Sequence, residues 1–396
     1  MRVTTSMFYR QSTNTIQDLQ SQLVRTQTQL SSGFRLLSSA DDPAAATRLL
    51  QLDTASAQTE QYQRNSSMAR NRLGLQEQSL TDVQNALFKL RDLAVQANND
   101  TLDITTRGFI AAEADEVLNE LVQVANTRGI GGNFIFSGFK EDTQPFSRSG
   151  DGVRYDGDQG QRQIQISDSR SVADGDSGAD VFMNVSNGTG TFSVSAGANN
   201  TGTGTLGTRS LNDEALWDNG EYTIQFTDSE NYDVYSATSG LISSGTFSIG
   251  DTIDVQGVSI VLTGAPDAGD EFELGPSRKQ SVFETVQNFI DALAAPENPA
   301  GFAKLHNEMG NVLEDLDRGV DNVLEYRTRV GTRLQTIDAQ EVSNTDFQLT
   351  LASATSELRD LDYAEAVTRL SRQVVGLEAA QQSFARIQGL SLFNLI

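Results

Sequence analysis

The chain has 396 residues, with 29 Lys+Arg against 53 Asp+Glu, a net charge of −24, no cysteine and one histidine. That balance argues against nucleic acid, whose phosphates need clustered cations, and against docking on an anionic membrane face. Without cysteine there are no disulfides, thiolate metal sites or cysteine nucleophiles, and the single His306 rules out a multi-histidine metal centre.

The elements follow in chain order. Met1 to Tyr9 lacks the apolar stretch of a cleaved secretory signal, so if the protein leaves the cell, another route is expected. No run approaches the ~18–20 apolar residues that cross a bilayer. Residues 1–140 are rich in Gln, Leu, Ala, Thr and Arg and read as long helices. Ile16, Leu19, Leu23 and Leu30 fit heptad positions, with Thr26 at a weak one, and such a stripe can only be buried against another helix. Gly33 can take the left-handed conformation that closes a helix, and Asp42-Pro43 reads as an N-cap and first helical residue. Leu80, Val83, Leu87, Leu90 and Ala94 continue the pattern, then Val117, Leu121 and Val124.

Residues 145–280 change vocabulary. They hold 20 of the 33 glycines, and their 20 acidic and 7 basic residues place more than half of the negative charge in about a third of the chain. Val153–Tyr155 and Gln163–Ile166 flank Asp156-Gly157-Asp158-Gln159-Gly160, a hairpin signal. Tyr222–Phe226 and Phe247–Ile249 alternate with period two, and Asp254–Leu262 reads as a strand broken at Gly257. After Gly275-Pro276, Val282, Phe283, Val286, Phe289, Ile290 and Leu293 make one helical face, interrupted by Pro296 and Pro299. Leu305, Met309, Val312, Leu316, Val320 and Val323 run on to Val330, Leu334 and Ile337. Phe347, Leu351, Ala354, Leu358 and Leu361 follow, then, after a stutter-like phase change, Tyr363, Val367, Leu370, Val374, Leu377 and Phe384. One helix over 347–390 would be about 66 Å long.

The pattern predicts an α+β fold: a long helical coiled coil or bundle built from both ends of the chain, with an inserted, mostly β domain. The two helical halves must pack on each other, because neither has a core of its own. The predicted division is residues 1–42 with 354–396, residues 43–185 with 276–353, and residues 186–275.

The ends point to neighbours. Residues 1–40 carry four Arg and one acid, and residues 11–30 carry six Gln and six Ser or Thr. A polar, charge-poor face suits packing beside further copies, where like charges would repel. Leu390, Leu392, Phe393, Leu395 and Ile396 form an apolar tail that something must cover. The predicted assembly interface is Ile16, Leu19, Leu23, Leu30, Leu358, Leu361, Leu370, Val374, Leu377 and Phe384.

No catalytic, cofactor-binding or metal-ligating set is predicted. Asp174-Gly175-Asp176-Ser177-Gly178-Ala179-Asp180 suggests calcium, but lacks the twelve-residue loop with its closing Glu, and Asp-Gly repeats commonly make turns. His306 beside Leu305 reads as structural. Glu271 and Glu273 share a strand face and could pose as glycosidase carboxylates, but solvated acids on an acidic β domain are the commoner case. Trp217 with Tyr222, Tyr232 and Tyr235 could form a glycan platform or a small β core.

Three motifs carry a resemblance. Gln29-Leu30-Ser31-Ser32-Gly33-Phe34-Arg35 with Ser39-Ala40-Asp41-Asp42-Pro43-Ala44 resembles the opening motif of the flagellin superfamily. Leu361–Leu370 is similar to its C-terminal counterpart, and Leu90–Asn98 to its core helix. Ala125-Asn126-Thr127, Gly132–Gly138, Tyr155–Asp158, Gly178–Phe182 and Leu390–Ile396 resemble the junction members of that superfamily rather than flagellin, while residues 186–275 match nothing nameable. The resemblance implies a bacterial flagellar axial protein, extracellular and non-enzymatic, exported unfolded through the flagellar type III apparatus with a chaperone, FlgN. It implies a ring of about eleven copies between the neighbouring junction protein FlgK and flagellin, with termini unpartnered before assembly, and no cofactor. Two alternatives stand beside it: the filament subunit itself, and a secreted glycan-binding or glycan-cleaving protein.

Overall fold

A computed structural model describes the backbone of residues 5–150 and 152–393 and the side chains of residues 7–150 and 152–386. The helices are α1 (Thr5–Ser32), α2 (Pro43–Ala97), α3 (Ile104–Ala125), α4 (Val282–Ala292), α5 (Pro299–Arg359) and α6 (Tyr363–Phe393). The strands are β1 (Phe146–Ser149), β2 (Gly152–Tyr155), β3 (Gln163–Gln165), β4 (Ser171–Ala173), β5 (Val185–Ser186), β6 (Phe192–Ala196), β7 (Thr205–Leu211), β8 (Tyr222–Phe226), β9 (Asn231–Ser236), β10 (Gly240–Thr246), β11 (Thr252–Val255), β12 (Val258–Thr263), β13 (Glu271–Pro276) and β14 (Lys279–Gln280). The α+β class holds, with helical arms around a strand-rich insertion. The chain divides into residues 1–64 with 340–396, and residues 65–339; the division falls inside α2 and α5.

In the first unit, α1 pairs with α6. Tyr9 meets Phe384 edge to face at 5.9 Å, and Gly33 at the other end of α1 meets Leu361, so the helices run antiparallel. The α1 stripe therefore has a partner within its own chain, as packing of the two helical halves on each other requires, where the resemblance implies termini unpartnered before assembly. A single helix over 347–390 does not form. α5 stops at Arg359 because the backbone turns to pair with residues 33–35, and Asp362 then caps α6, its Oδ1 accepting from the N–H of Ala364 (2.9 Å) and of Glu365 (3.1 Å). The expected stripe also shifts along α5: Phe347 is exposed, whereas Asn344 and Leu351 are buried. The apolar residues Leu390 to Ile396 lie outside the described side chains.

The second unit has two cores. In the first, Ala69, Leu73, Leu80, Val83, Leu87, Leu90 and Ala94 of α2 join Leu305, Met309, Val312, Leu316, Val323, Val330 and Ile337 of α5 in one buried cluster. Each such Leu or Val removed from water contributes roughly 1.5–3 kcal/mol before chain entropy is charged. A ring cluster extends it: Phe182 stands 5.1 Å from Phe136, 5.3 Å from Phe146 and 5.8 Å from Phe283. The hairpin expected between 153–155 and 163–166 is absent: β1 pairs with β2 and β3 with β4. Asp158 in the intervening loop instead accepts the N–H groups of Phe139 and Gly160, both at 2.8 Å, and so folds the loop onto Gly138. Gly138 has φ +70, and any Cβ there would lie 2.2 Å from the Asp158 carboxylate.

The second core closes between a five-stranded sheet ordered β10-β9-β8-β13-β6 and a three-stranded sheet ordered β11-β12-β7. Tyr222, Ile224 and Phe226 point inward with Phe272 and Leu274, while Val255, Val258, Ile260 and Leu262 face them. The break at Gly257 is a hairpin turn with positive φ at both Gln256 (47) and Gly257 (82), which matches the strand twist. Phe247–Ile249 is not a strand. Phe247 is buried, but the Ser248 N–H donates to Asp251 Oδ2 at 2.9 Å, and the chain turns with Ile249 exposed.

Candidate assembly interface

The opening motif and the C-terminal motif form one structure. The Gly33 carbonyl accepts the Leu361 N–H at 2.9 Å, and the Arg35 N–H donates to the Arg359 carbonyl at 2.8 Å. Arg35 Nη2 reaches the Leu358 carbonyl at 2.8 Å, Gln29 Nε2 donates to the Arg35 carbonyl at 2.6 Å, and the Arg359 guanidinium lies 4.6 Å over the Phe34 ring. Gly33 has φ +76, which favours glycine, and a Cβ there would crowd the Tyr363 hydroxyl at 3.0 Å.

From this clasp the α1–α6 seam runs at 3.5-residue spacing. Ile16, Leu19, Leu23 and Leu30 are half-buried, as are Leu358, Leu370, Leu377 and Phe384; Leu361 and Ala366 are buried. Val374 lies off the seam with 37% of its surface exposed, and Gln373 takes the inward position. Paired with α6 alone, the stripe stays half open. Further apolar side chains of the same unit stand in solvent, among them Val24, Val342, Phe347, Leu349, Val367 and Val375.

The second unit holds two polar constellations that hydrophobic patterning passes over. One is a row along α5. Asn307 accepts the Leu206 N–H at 2.7 Å and donates to the Gly204 carbonyl at 3.1 Å; Asn311 accepts Arg209 Nη1 at 2.7 Å; Glu314 pairs with Arg209 Nη2 at 3.3 Å. Asp315 accepts the Gly188 N–H at 2.7 Å and Gln280 Nε2 at 3.1 Å. These residues share one helical face and hold β7 and the start of the insertion onto α5. The signal in the sequence is a pair of amides at i and i+4 on a face that otherwise resembles a solvated one.

Burial, its largest cause, pushes the Asp315 carboxyl up to about 6 from an ordinary 3.8, with Glu314 adding repulsion against the donors Gly188 and Gln280 and the Arg209 charge. The folded protein keeps a proton here that the unfolded chain releases, so the stability drawn from this group is full below pH 3.8 and is lost as pH rises through about 6. Asp315→Asn is therefore expected to raise the urea midpoint clearly at pH 8 and to have little effect at pH 3.5, below the unfolded pKa, with the gap opening as pH rises through about 6. An equal effect at both pH values would show that titration is not the cause.

The other constellation is a charged knot. Arg333 Nη1 and Nη2 grip the Asp176 carboxylate at 2.7 and 2.9 Å, and Gln76 and Gln161 donate to it at 2.8 and 3.0 Å. Asp174 pairs with Arg162, and Arg72 and Arg162 both reach Glu141, at 2.9 and 3.1 Å. The Asp-Gly run that suggested calcium thus gives both of its buried carboxylates to arginines. His306 Nε2 meets Asp100 at 2.6 Å and Nδ1 meets Asn98, which ties α5 to the α2–α3 connection. Trp217 and Tyr222 are buried, with ring centroids 6.2 Å apart, as part of the second core rather than an exposed platform. Glu271 accepts Gln225 Nε2 at 2.9 Å, and Glu273 lines a polar cleft of about 440 Å³ beside Glu308 and Asp315.

The bacterial flagellin N-terminal helical region matches residues 3–141, and the flagellin C-terminal helical region matches residues 313–396. The flagellar hook-associated protein 3 of Escherichia coli (strain K12) is 24% identical over 397 residues, spanning 100% of this chain and 99% of that protein. The crystal structure of Xanthomonas campestris FlgL is 32% identical with a TM-score of 0.73, covering 77% of this chain and 99% of that one. That of flagellar hook-associated protein-3 from Legionella pneumophila is 30% identical with a TM-score of 0.75, covering 78% of this chain and 98% of that one. Paired terminal helices around a strand-rich insertion thus define an axial structural protein of the flagellin type. Within that superfamily, the chain belongs to the hook-associated protein 3 (FlgL) family.

Proposed function

We propose that this chain is a non-catalytic adaptor at the hook–filament junction, outside the cell, between FlgK on the hook side and flagellin on the filament side. It is exported through the flagellar type III apparatus, with FlgN as its chaperone, and assembles as a ring of about eleven copies. Among the described residues, no helix is long and apolar enough to cross a membrane. One observation carries the reading: the motif-bearing arms form a clasped helix pair whose seam stays half open, a surface built to be completed by neighbours. The likeness to hook-associated protein 3 over the whole chain supports the junction over the filament. The burial of Trp217 and Tyr222, two of the four rings of the candidate platform, weighs against a glycan-binding reading.

Electron cryomicroscopy of hook–filament junctions carrying a labelled copy of this chain tests the proposal. Label confined to one short ring is the expected result. Label spread along the filament would identify a filament subunit and overturn the junction role.

A further inference from the structure

An apolar groove of about 590 Å³ lies where the loop after α1 meets the first turns of α2. Leu36, Leu37, Pro43, Ala46, Leu49 and Leu50 line it, and among the described residues Asp53 is the one charged group on its wall. Leu50 is 68% exposed and Leu37 39% exposed, so two leucines stand in solvent at its mouth. The walls are held in shape. Asp41 Oδ2 accepts the N–H of Leu37 (3.0 Å) and of Ser38 (3.1 Å), and its other oxygen pairs with Arg25 at 2.7 Å. Asp42 caps α2 through the Ala45 N–H at 3.0 Å. A groove fixed in this way binds without the cost of ordering its own walls.

The chain also carries a segment of matching chemistry. Residues 387–396 hold Leu390, Leu392, Phe393, Leu395 and Ile396 and no charged side chain. The fold separates the two within one molecule. The groove begins one residue beyond Arg35, which is pinned to Leu358 and Arg359 at the end of α5, just before α6 starts at Tyr363, whereas residue 390 lies 27 residues along α6 from that start. At 1.5 Å per residue the separation is about 40 Å, with α6 helical throughout. The segment cannot reach its own groove without unwinding α6. We infer that the groove is a docking site for the apolar segment 387–396 of a second copy of this chain. Each copy then offers one groove and one segment, a heterologous pairing that passes from neighbour to neighbour.

A fluorescent peptide of residues 385–396, titrated into the purified full-length protein and followed by anisotropy, tests this. Saturable binding is expected, weakened more than about tenfold by Leu50→Asp or Leu37→Asp, each of which removes a leucine that the bound segment would bury. Phe347→Asp, exposed in the same unit but off the groove, is expected to leave binding unchanged. A photo-crosslinker at the Phe393 position of the peptide should label residues 36–50. Absence of binding, or binding indifferent to both groove substitutions, overturns the proposal. Binding only to a chain ending at residue 386, with the full-length protein monomeric at the concentration used, would show the groove filled by its own segment and would overturn the second copy as occupant.

Discussion

Arg333→Ala is expected to lower the unfolding free energy by about 3–5 kcal/mol, the cost of stranding a buried carboxylate. Asp176 has 3% of its side chain exposed and depends on Arg333 for a two-pronged grip; Gln76 and Gln161 remain but bring no charge. The pair joins residues 157 positions apart and fastens the Asp174–Gly178 loop to α5, so its removal should free that loop as well as weaken the core beneath it. Replacing both partners with leucine is expected to restore much of the stability, because neither charge is then left alone. Urea unfolding followed by circular dichroism measures the effect. Trp217 fluorescence, from the second core, tells whether the outer sheets unfold with the helices or after them. An unchanged midpoint in Arg333→Ala would mean that water satisfies Asp176 and that the knot adds no stability.

What could be read from the sequence was local. Ile16, Leu19, Leu23 and Leu30 announce a stripe because heptad spacing is a property of adjacent turns, and Asp42-Pro43 and Gly33 mark ends through their own backbone preferences. The alternation of Tyr222–Phe226 predicted β8 for the same reason. What stayed hidden depends on distant partners. The break at residues 360–362 exists because residues 33–35 pair there, and nothing within 347–390 records that. Gln373 rather than Val374 faces α1, since the new phase is counted from Ala366, the first buried residue after the break. Ser66, Gln76 and Asn344 are buried among the helices, although a reading by hydrophobicity skips them. Val153–Tyr155 chose Phe146–Ser149 as its partner because Asp158 spends its hydrogen bonds on Phe139 and Gly160. The rod side of α5 was legible from Leu305 to Ile337; the side that seats the insertion was not, because Asn307, Asn311 and Asp315 look like ordinary solvated residues until Arg209 and Gly188 arrive.

The double substitution Leu370→Asp with Leu377→Asp is expected to abolish filament attachment while leaving export measurable. Both leucines sit on the α6 face that α1 covers, and each is already half-exposed in the single chain. A carboxylate at either place gives up the apolar packing and sits against Leu or Ile of α1, for a combined cost of about 2–4 kcal/mol. That is enough to open a seam built from two helices, and every copy in an assembled ring would carry the same fault. Helix content of the purified variant should fall, and the edge-to-face packing of Tyr9 on Phe384 should disappear as the helices part. Val374→Asp is the informative companion. Val374 faces away from the seam, so its helix content should match wild type; if α6 packs on neighbouring copies, attachment should still weaken. Secretion of each variant must be assayed beside motility, so that a failure of export is told apart from a failure of assembly. A strain that secretes the double variant normally and swims with filaments of normal length would remove the α1–α6 seam from the mechanical joint and leave the exposed outer faces to carry it.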